Sequence, residues 1–107
     1  LPTYEVIYLI CKPEFALAKG ANSHGDVWEF TQEMKNEHPA PFPVTLIERI
    51  ISSTNANLIL DPFMGSGTTA IACLNTGRQY MGFELDETYH KLSLERIESH
   101  KQQPSLT

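Results

Sequence analysis

The sequence is poor in several features that would point to a particular class of protein. Its 107 residues include two cysteines and no basic excess, since 13 acidic against 8 basic side chains give a formal net charge of -5. The basic residues are scattered along the chain, which is unlike a nucleic-acid-binding surface. The absence of a long apolar run argues against a membrane segment or a signal peptide. What remains is one small domain with a modest core.

The cysteines and histidines show no arrangement that would bind a metal ion. Cys11 and Cys73 lie far apart inside apolar runs, without metal-type spacing to the four histidines. Cysteines of this kind are usually buried and reduced. We therefore expect two buried thiols in a cytoplasmic protein that binds no metal. The chain begins with Leu1 rather than Met, from which we expect a fragment or a processed product.

The most informative segment is residues 58–69, which read Leu-Ile-Leu-Asp-Pro-Phe-Met-Gly-Ser-Gly-Thr-Thr. The apolar run predicts a strand that stops at Asp61, because Pro62 lacks an N–H group and biases the preceding residue towards an extended conformation. Gly65 and Gly67 allow the backbone to bend sharply and to lie close to a ligand. The two threonines that follow can cap and begin a helix whose free N–H groups point back at the turn. The segment therefore predicts a ligand-binding turn.

The rest of the chain alternates between strand and helix patterns. Runs of β-branched and aromatic residues predict strands, and apolar residues three or four apart predict core-facing helices. Pro43 suits the first position of one helix, and Gly77 suits the end of another. The expected strands are 4–11, 27–30, 58–61 and 79–84, and the expected helices begin at Pro43 and span 68–76 and 86–99, with Tyr89, Leu92 and Ile97 of the last helix facing the sheet.

Strands 58–61 and 79–84 form a strand–helix–strand unit with the helix between them. Such strands are parallel and joined by a right-handed crossover, so their carboxyl ends meet at one edge of the sheet, where ligands of open α/β sheets bind. Asp61 and Glu84 both lie at that edge. Glu84 suits the two hydroxyls of a ribose, or is a solvated residue that caps the following helix. Asp61 suits a ligand too, or only forms a turn with local backbone.

A nicotinamide dinucleotide is the competing ligand. Residues 65–70 satisfy the Gly-x-Gly-x-x-Gly/Ala pattern of an NAD(P)-binding dehydrogenase domain, and Glu84 follows downstream. Against this, residues 61–64 separate the strand from the glycines, and the Asp61 carboxylate would repel phosphate. It would suit a ligand with an ammonium group and no phosphate. A P-loop is excluded because no Lys follows the second glycine.

A specific family resemblance rests on three segments taken in order. They are His-Pro-Ala-Pro-Phe-Pro at 38–43, the glycine turn at 61–69, and Gly-Arg-Gln-Tyr-Met-Gly-Phe-Glu at 77–84, with Tyr89 beyond them. Together they resemble the β-class DNA amino-methyltransferases, over about 27–97 of the chain. That family transfers a methyl group from S-adenosyl-L-methionine to adenine N6 or cytosine N4 in a specific DNA sequence, as in restriction-modification systems. An ordered set of motifs is more specific than a single glycine signature.

The resemblance implies an α/β fold that contains part of a Rossmann-like methyltransferase sheet. In it, helices pack on a parallel strand–helix–strand core. The chain would then divide into strands and a loop leading into the fold at 1–30, the S-adenosyl-L-methionine-binding part at 31–100, and a flexible tail at 101–107.

The resemblance also implies roles for individual residues. Asp61 would face the methionine ammonium group and Glu84 the ribose hydroxyls. Phe83 or Leu85 would flank the adenine, and Phe63 would line the cofactor cleft with the glycine turn. The segment before the first helix would close over the methionine end. The implied cofactor-binding residues are Pro41, Phe42, Pro43, Asp61, Pro62, Phe63, Gly65, Ser66, Gly67, Thr68, Thr69, Phe83, Glu84 and Leu85.

The catalytic motif of that family is missing from this chain. The family holds the target amino group with Asp/Asn/Ser-Pro-Pro-aromatic, and the sequence contains no Pro-Pro pair. We therefore assign no catalytic residue and expect the chain to be inactive alone. The catalytic and target-recognition part would lie N-terminal to Leu1 or on a separate subunit, and DNA would be bound through the complete enzyme. A further alternative is a non-catalytic interaction subunit that keeps a decayed cofactor fold.

Overall fold

The computed structural model describes residues 5–30 and 42–103, and a strand–helix–strand unit lies at its centre. The helices and strands in chain order are α1 (Val44–Ser52), β1 (Leu58–Asp61), α2 (Thr68–Thr76), β2 (Gln79–Gly82) and α3 (Glu87–Gln102), and a 3-10 helix at Ala21–His24 precedes them. The chain is therefore α/β. In the described ranges, no helix is both long and apolar enough to cross a lipid bilayer.

The two strands are parallel and in register, with Asp61 opposite Gly82. The pairing continues past the strand ends, because the Phe83 N–H donates to the Asp61 carbonyl oxygen at 3.0 Å. The predicted parallel pair, with its carboxyl ends at one edge, is confirmed. β2 ends at Gly82, earlier than the predicted Glu84.

Glycines fix both ends of α2. Gly67, at φ 93°, is the N-cap, and Gly77, at φ 69°, is the C-cap, whose N–H donates to the Cys73 carbonyl. Glycine adopts these left-handed conformations without the steric cost that a Cβ atom adds. The predicted helix 68–76 is confirmed. The expectation that a threonine side chain caps it is wrong, because the N-cap position falls on Gly67.

The core is built around α2, whose residues 70–73 are buried. Ile51 of α1 packs against the side of α2 that carries Cys73, and Ile97 of α3 packs against the side that carries Ala70, together with Met64 from the glycine turn. Burial of an Ile side chain stabilises the fold by about 1.5–3 kcal/mol. The helices before and after the strand–helix–strand unit are thus held to it by apolar contacts.

One face of the two-stranded sheet is covered, and the other is open among the described residues. Ile59 and Tyr80 pack against the core around α2. Leu58, Leu60 and Met81 point the opposite way, as the alternation of a strand requires, and are 55%, 60% and 52% exposed. A parallel sheet is normally covered on both faces. The open face is therefore one that a complete parallel sheet would bury.

The ends of α1 and α3 lie close to the predicted positions. Pro43 is the N-cap of α1, with an extended ψ of 137°, rather than its first helical residue. Asp86 caps α3, and its Oδ1 accepts the Tyr89 N–H at 3.0 Å. α3 continues past the predicted Ser99 to Gln102. The predicted tail 101–107 therefore begins inside this helix, and its residues 104–107 lie outside the described part of the chain.

The buried face of α3 differs from the predicted one. Ser93 and Ile97, one helical turn apart, are buried. The prediction that Ile97 faces inwards is therefore confirmed. It is wrong for Leu92, which is exposed because it points away from the Ser93–Ile97 face, and for Tyr89, which lies in the first turn of α3, where the described elements cover it incompletely.

The predicted strand 4–11 is wrong. Residues 5–11 form no strand and are exposed, and Tyr4 lies outside the described residues. A strand is stabilised by pairing and packing against neighbours rather than by residue preference alone, and no described segment pairs with this one. Cys11 is exposed with the segment. Of the two thiols predicted to be buried, only that of Cys73 is.

The predicted strand 27–30 is also wrong, because its aromatic side chains contact α1 instead of forming a ladder. Trp28 Nε1 donates to the Gly25 carbonyl at 3.1 Å. The Arg49 guanidinium of α1 lies over both rings, 5.3 Å from the Trp28 centroid and 4.5 Å from that of Phe30. Such cation–π contacts contribute about 0.5–1 kcal/mol each at exposed sites. Side chains, rather than backbone pairing, hold this segment to the fold.

Candidate functional site

Asp61 joins the end of β1 to the start of α2. Its Oδ1 accepts the Phe63 N–H at 2.9 Å, and its Oδ2 accepts the Thr69 hydroxyl at 2.6 Å. The first bond is the local turn contact considered for this residue, and the second spans the glycine turn. The half-buried carboxylate is thereby oriented, and each oxygen keeps a lone pair for a further donor.

Glu84 holds the glycine turn from the neighbouring strand. Its Oε1 accepts the Gly65 N–H at 2.7 Å, and its Oε2 accepts the Asp86 N–H at 2.9 Å. The second bond joins it to the N-cap residue of α3, so the helix-start contact considered for Glu84 exists. The first bond reaches across 19 residues to the turn. One half-buried side chain therefore fixes both the turn and the entry to α3.

Backbone hydrogen bonds extend the sheet into the turn. The Met64 N–H donates to the Phe83 carbonyl at 2.9 Å, and the Gly67 N–H donates to the Met64 carbonyl at 3.0 Å. The segment that separates the glycines from β1 is thus paired with the chain that follows β2. The two predicted acidic residues and the glycines are brought together by this pairing.

The two glycines of the turn are different in kind. Both have a positive φ, 56° at Gly65 and 93° at Gly67. A Cβ added to Gly65 would meet nothing within 4 Å, so this position faces open space. A Cβ added to Gly67 would lie 3.1 Å from the Cβ of buried Ser93, so this position packs against α3. Gly65 therefore leaves room beside the turn, whereas Gly67 allows α3 to approach it.

Arg96 is the residue of this site that sequence reasoning missed. Its Nη1 donates to the Thr68 hydroxyl at 3.0 Å, to the Ser66 hydroxyl at 3.3 Å and to the Ser66 carbonyl at 3.4 Å. Ser66 is 30 residues away in sequence, and no local pattern links the two. Its place one turn after Ser93 and next to inward-facing Ile97 is a weak signal, visible only once the buried face of α3 is known.

Exposed apolar side chains surround the two carboxylates. Phe63, Phe83 and Leu85 are 85%, 58% and 100% exposed. Large apolar side chains are seldom exposed together in a small folded domain without a binding partner. These three were predicted to line or flank the cofactor cleft, and their surfaces are free to contact a ligand or another part of the protein.

The proline segment before α1 stands apart from this group. Pro41 lies outside the described residues, Phe42 is exposed and Pro43 is half-buried. The Pro43 carbonyl accepts the N–H groups that begin α1, and no hydrogen bond among the described residues joins Phe42 or Pro43 to the glycine turn. Pro62 is exposed at the end of β1.

The site carries negative charge on its side chains. The four hydrogen bonds that Asp61 and Glu84 accept within the described part come from three backbone N–H groups and one hydroxyl, and none from a cationic side chain. Such carboxylates attract cations and hydrogen-bond donors. Over the same residues, no three His, Cys, Asp or Glu side chains gather as a metal site would need. The arrangement suits an organic ligand with an amine and hydroxyl groups.

The sequence profile of the DNA methylase family matches residues 8–95. The chain is 38% identical to the type II methyltransferase M.ScaI of Streptomyces caespitosus over 88 residues, which cover 72% of this chain and 29% of M.ScaI. The chain therefore spans less than a third of that relative's length.

Two solved structures are similar to the fold. One is that of TTHA0409, a DNA modification methylase from Thermus thermophilus, with a TM-score of 0.61 and 30% identity, covering 94% of this chain and 43% of that one. The other is the M1.HpyAVI–SAM complex, with a TM-score of 0.53 and 45% identity, covering 58% of this chain and 32% of that one. The predicted α/β fold with part of a Rossmann-like sheet is thereby confirmed. With a family match that runs over most of its residues, the chain belongs to the DNA methylase family.

Proposed function

We propose that this chain is the S-adenosyl-L-methionine-binding portion of a DNA amino-methyltransferase that methylates adenine N6 or cytosine N4. The observation that carries the proposal is the pair of half-buried carboxylates at the carboxyl ends of β1 and β2, on either side of a turn with two positive-φ glycines. The proposal is supported by membership in the DNA methylase family and by the likeness to M1.HpyAVI, which was crystallised with SAM.

The chemistry of the site fits this cofactor. S-adenosyl-L-methionine carries an ammonium group and a ribose diol, which are hydrogen-bond donors and need oriented acceptors. Asp61 would hold the ammonium group and Glu84 the ribose hydroxyls, since each carboxylate retains acceptor capacity beyond its bonds to the protein. Phe83 and Leu85 would flank the adenine. When bound, the cofactor supplies an electrophilic methyl group, and this chain's residues bind and orient it.

The same features weigh against the two alternatives. Family membership argues against an NAD(P)-dependent dehydrogenase, and Asp61 beside the turn would repel a pyrophosphate. A decayed cofactor fold would not need Glu84 and Asp61 to remain oriented around the turn. A non-catalytic subunit nevertheless has its own expected result, which is partner binding without cofactor binding.

The catalytic and target-recognition part is proposed to lie outside this chain, on another segment or subunit. The sequence contains no Pro-Pro pair for the family's catalytic motif, and the chain spans 29% of M.ScaI. The open sheet face formed by Leu58, Leu60 and Met81 supports this, because the rest of a methyltransferase domain would cover it. DNA would be bound through the complete enzyme, in the cytoplasm, without a resident metal ion.

Calorimetric titration of the assembly that contains this chain with S-adenosyl-L-methionine tests the proposal. Asp61→Asn and Glu84→Gln should each weaken binding by about 1–3 kcal/mol, the scale of lost charge-assisted hydrogen bonds. Glu95→Gln, a neutralisation of an exposed α3 residue, is the matched control and should leave the affinity unchanged. Unchanged affinity in both site variants, or tight NAD binding by the wild type, would overturn the assignment.

A further inference from the structure

Arg96 links α3 to the middle of the glycine turn. Its guanidinium contacts Ser66 through both the carbonyl and the hydroxyl oxygen, and the first residue of α2 through the Thr68 hydroxyl, at 3.0–3.4 Å. Hydrogen bonds from a charged donor are stronger than neutral ones, and a planar guanidinium constrains the positions of several acceptors at once. The contact therefore specifies the shape of the turn and does more than fill space beside it.

The turn needs such a support. Its backbone passes through positive φ at Gly65 and again at Gly67, and glycine is the residue with the most conformational freedom to lose. The helix that follows has no side-chain cap, since its N-cap is Gly67. Glu84 holds the beginning of the turn at the Gly65 N–H, and Gly67 rests on Ser93. Between these two points, Ser66 is held by Arg96.

A charge argument separates this role from simple helix stabilisation. The N-terminus of α2 carries the positive end of the helix dipole, and a cation at that end is unfavourable for the helix. Arg96 therefore stabilises the hydroxyl and carbonyl oxygens of the turn rather than α2 through its charge. Its position one turn after Ser93 places it on the same face of α3 that Gly67 contacts.

We propose that Arg96 is a positioning residue, which keeps the Ser66–Thr68 segment in the conformation that binds the cofactor. The inference rests on the proposed function for the identity of the ligand. α3 then acts as more than a packing helix, because the shape of the binding turn depends on one of its side chains.

The test compares Arg96→Met with Arg78→Met in the complete assembly. Arg78 is a matched control because it also bridges distant segments, donating to the Thr54 carbonyl at 3.2 Å and to the Ala56 carbonyl, near the opposite end of the sheet. Arg96→Met should raise the dissociation constant for S-adenosyl-L-methionine about tenfold, the effect of losing one charge-assisted contact set. Arg96→Lys should recover part of the affinity. Arg78→Met should lower the thermal midpoint and leave the dissociation constant unchanged.

Hydrogen exchange adds a readout that needs no cofactor. Amides of Ser66, Gly67 and Thr68 should exchange faster in Arg96→Met than in the wild type, and should be unaffected by Arg78→Met. A fall in thermal midpoint with unchanged cofactor affinity and unchanged turn exchange would overturn the positioning role. If the wild type bound no S-adenosyl-L-methionine, the proposed function would fail, and the exchange data would still decide whether Arg96 holds the turn.

Discussion

Adding one methyl group to each glycine of the binding turn should have two different consequences. In Gly65→Ala, the new Cβ points into open space, so the cost is that of a left-handed conformation for an L-residue, about 1–2 kcal/mol. In Gly67→Ala, a similar backbone cost of about 1–3 kcal/mol applies. The new Cβ would also lie 3.1 Å from the Ser93 Cβ and 3.4 Å from its Cα. Overpacking of this kind adds about 1–3 kcal/mol.

Ser93 cannot easily give way, since it is 4% exposed and belongs to the body of α3. Moving it would also move Arg96 and its contacts with the turn. Urea unfolding of the two variants measures the free energies of unfolding. A third variant, Gly67→Ala combined with Ser93→Gly, should regain part of the packing cost when analysed as a double-mutant cycle. Equal destabilisation by Gly65→Ala and Gly67→Ala, or additivity in the cycle, would refute the distinction.

Three further outcomes are expected. Gly82→Ala should lower the free energy of unfolding by about 1–3 kcal/mol, because its Cβ would lie 3.2 Å from the Met64 Cβ and Cγ and still nearer its methyl group; a neutral effect in urea unfolding would contradict this. Burial, with a smaller contribution from Asp61 and against the effect of Arg78, raises the pKa of the Cys73 thiol above 9.0. The stability that the neutral thiol contributes is complete below the unfolded-state pKa and is lost as pH rises through the higher folded-state value, so Cys73→Ala should flatten the alkaline part of the stability profile, and an identical profile would contradict the reasoning. The chain alone should transfer no tritiated methyl group to unmethylated DNA, and clear turnover would reveal a catalytic group that its motifs do not show.

Sequence reasoning succeeded where a single residue type has one dominant local effect. The end of β1 follows from the Asp-Pro dipeptide, and the ends of α2 follow from Gly67 and Gly77, whose positive φ is a property of glycine more than of the fold. The meeting of Asp61 and Glu84 at one edge followed from the handedness of a parallel crossover. These are the parts of the site that could be predicted.

It failed where the outcome depends on distant neighbours. Residues 5–11 have strand-forming side chains but no strand beside them in the described structure. The contacts of Ser93 and Arg96 with the turn connect positions about 30 residues apart and depend on the rotation of α3, which its sequence defines weakly because its apolar residues are not confined to one face. The individual cofactor-binding assignments rest on the resemblance and stay predictions.

The contact of Trp28 with Arg49 makes the chain its own optical sensor. Trp28 is the single tryptophan of the sequence, so its fluorescence comes from one known location. A guanidinium 5.3 Å from its ring alters both the polarity around the indole and its access to quenchers. The emission therefore reports whether the 25–30 segment is seated on α1. When the remainder of a methyltransferase domain binds the open sheet face, the same signal would register whether the segment is rearranged, without any label.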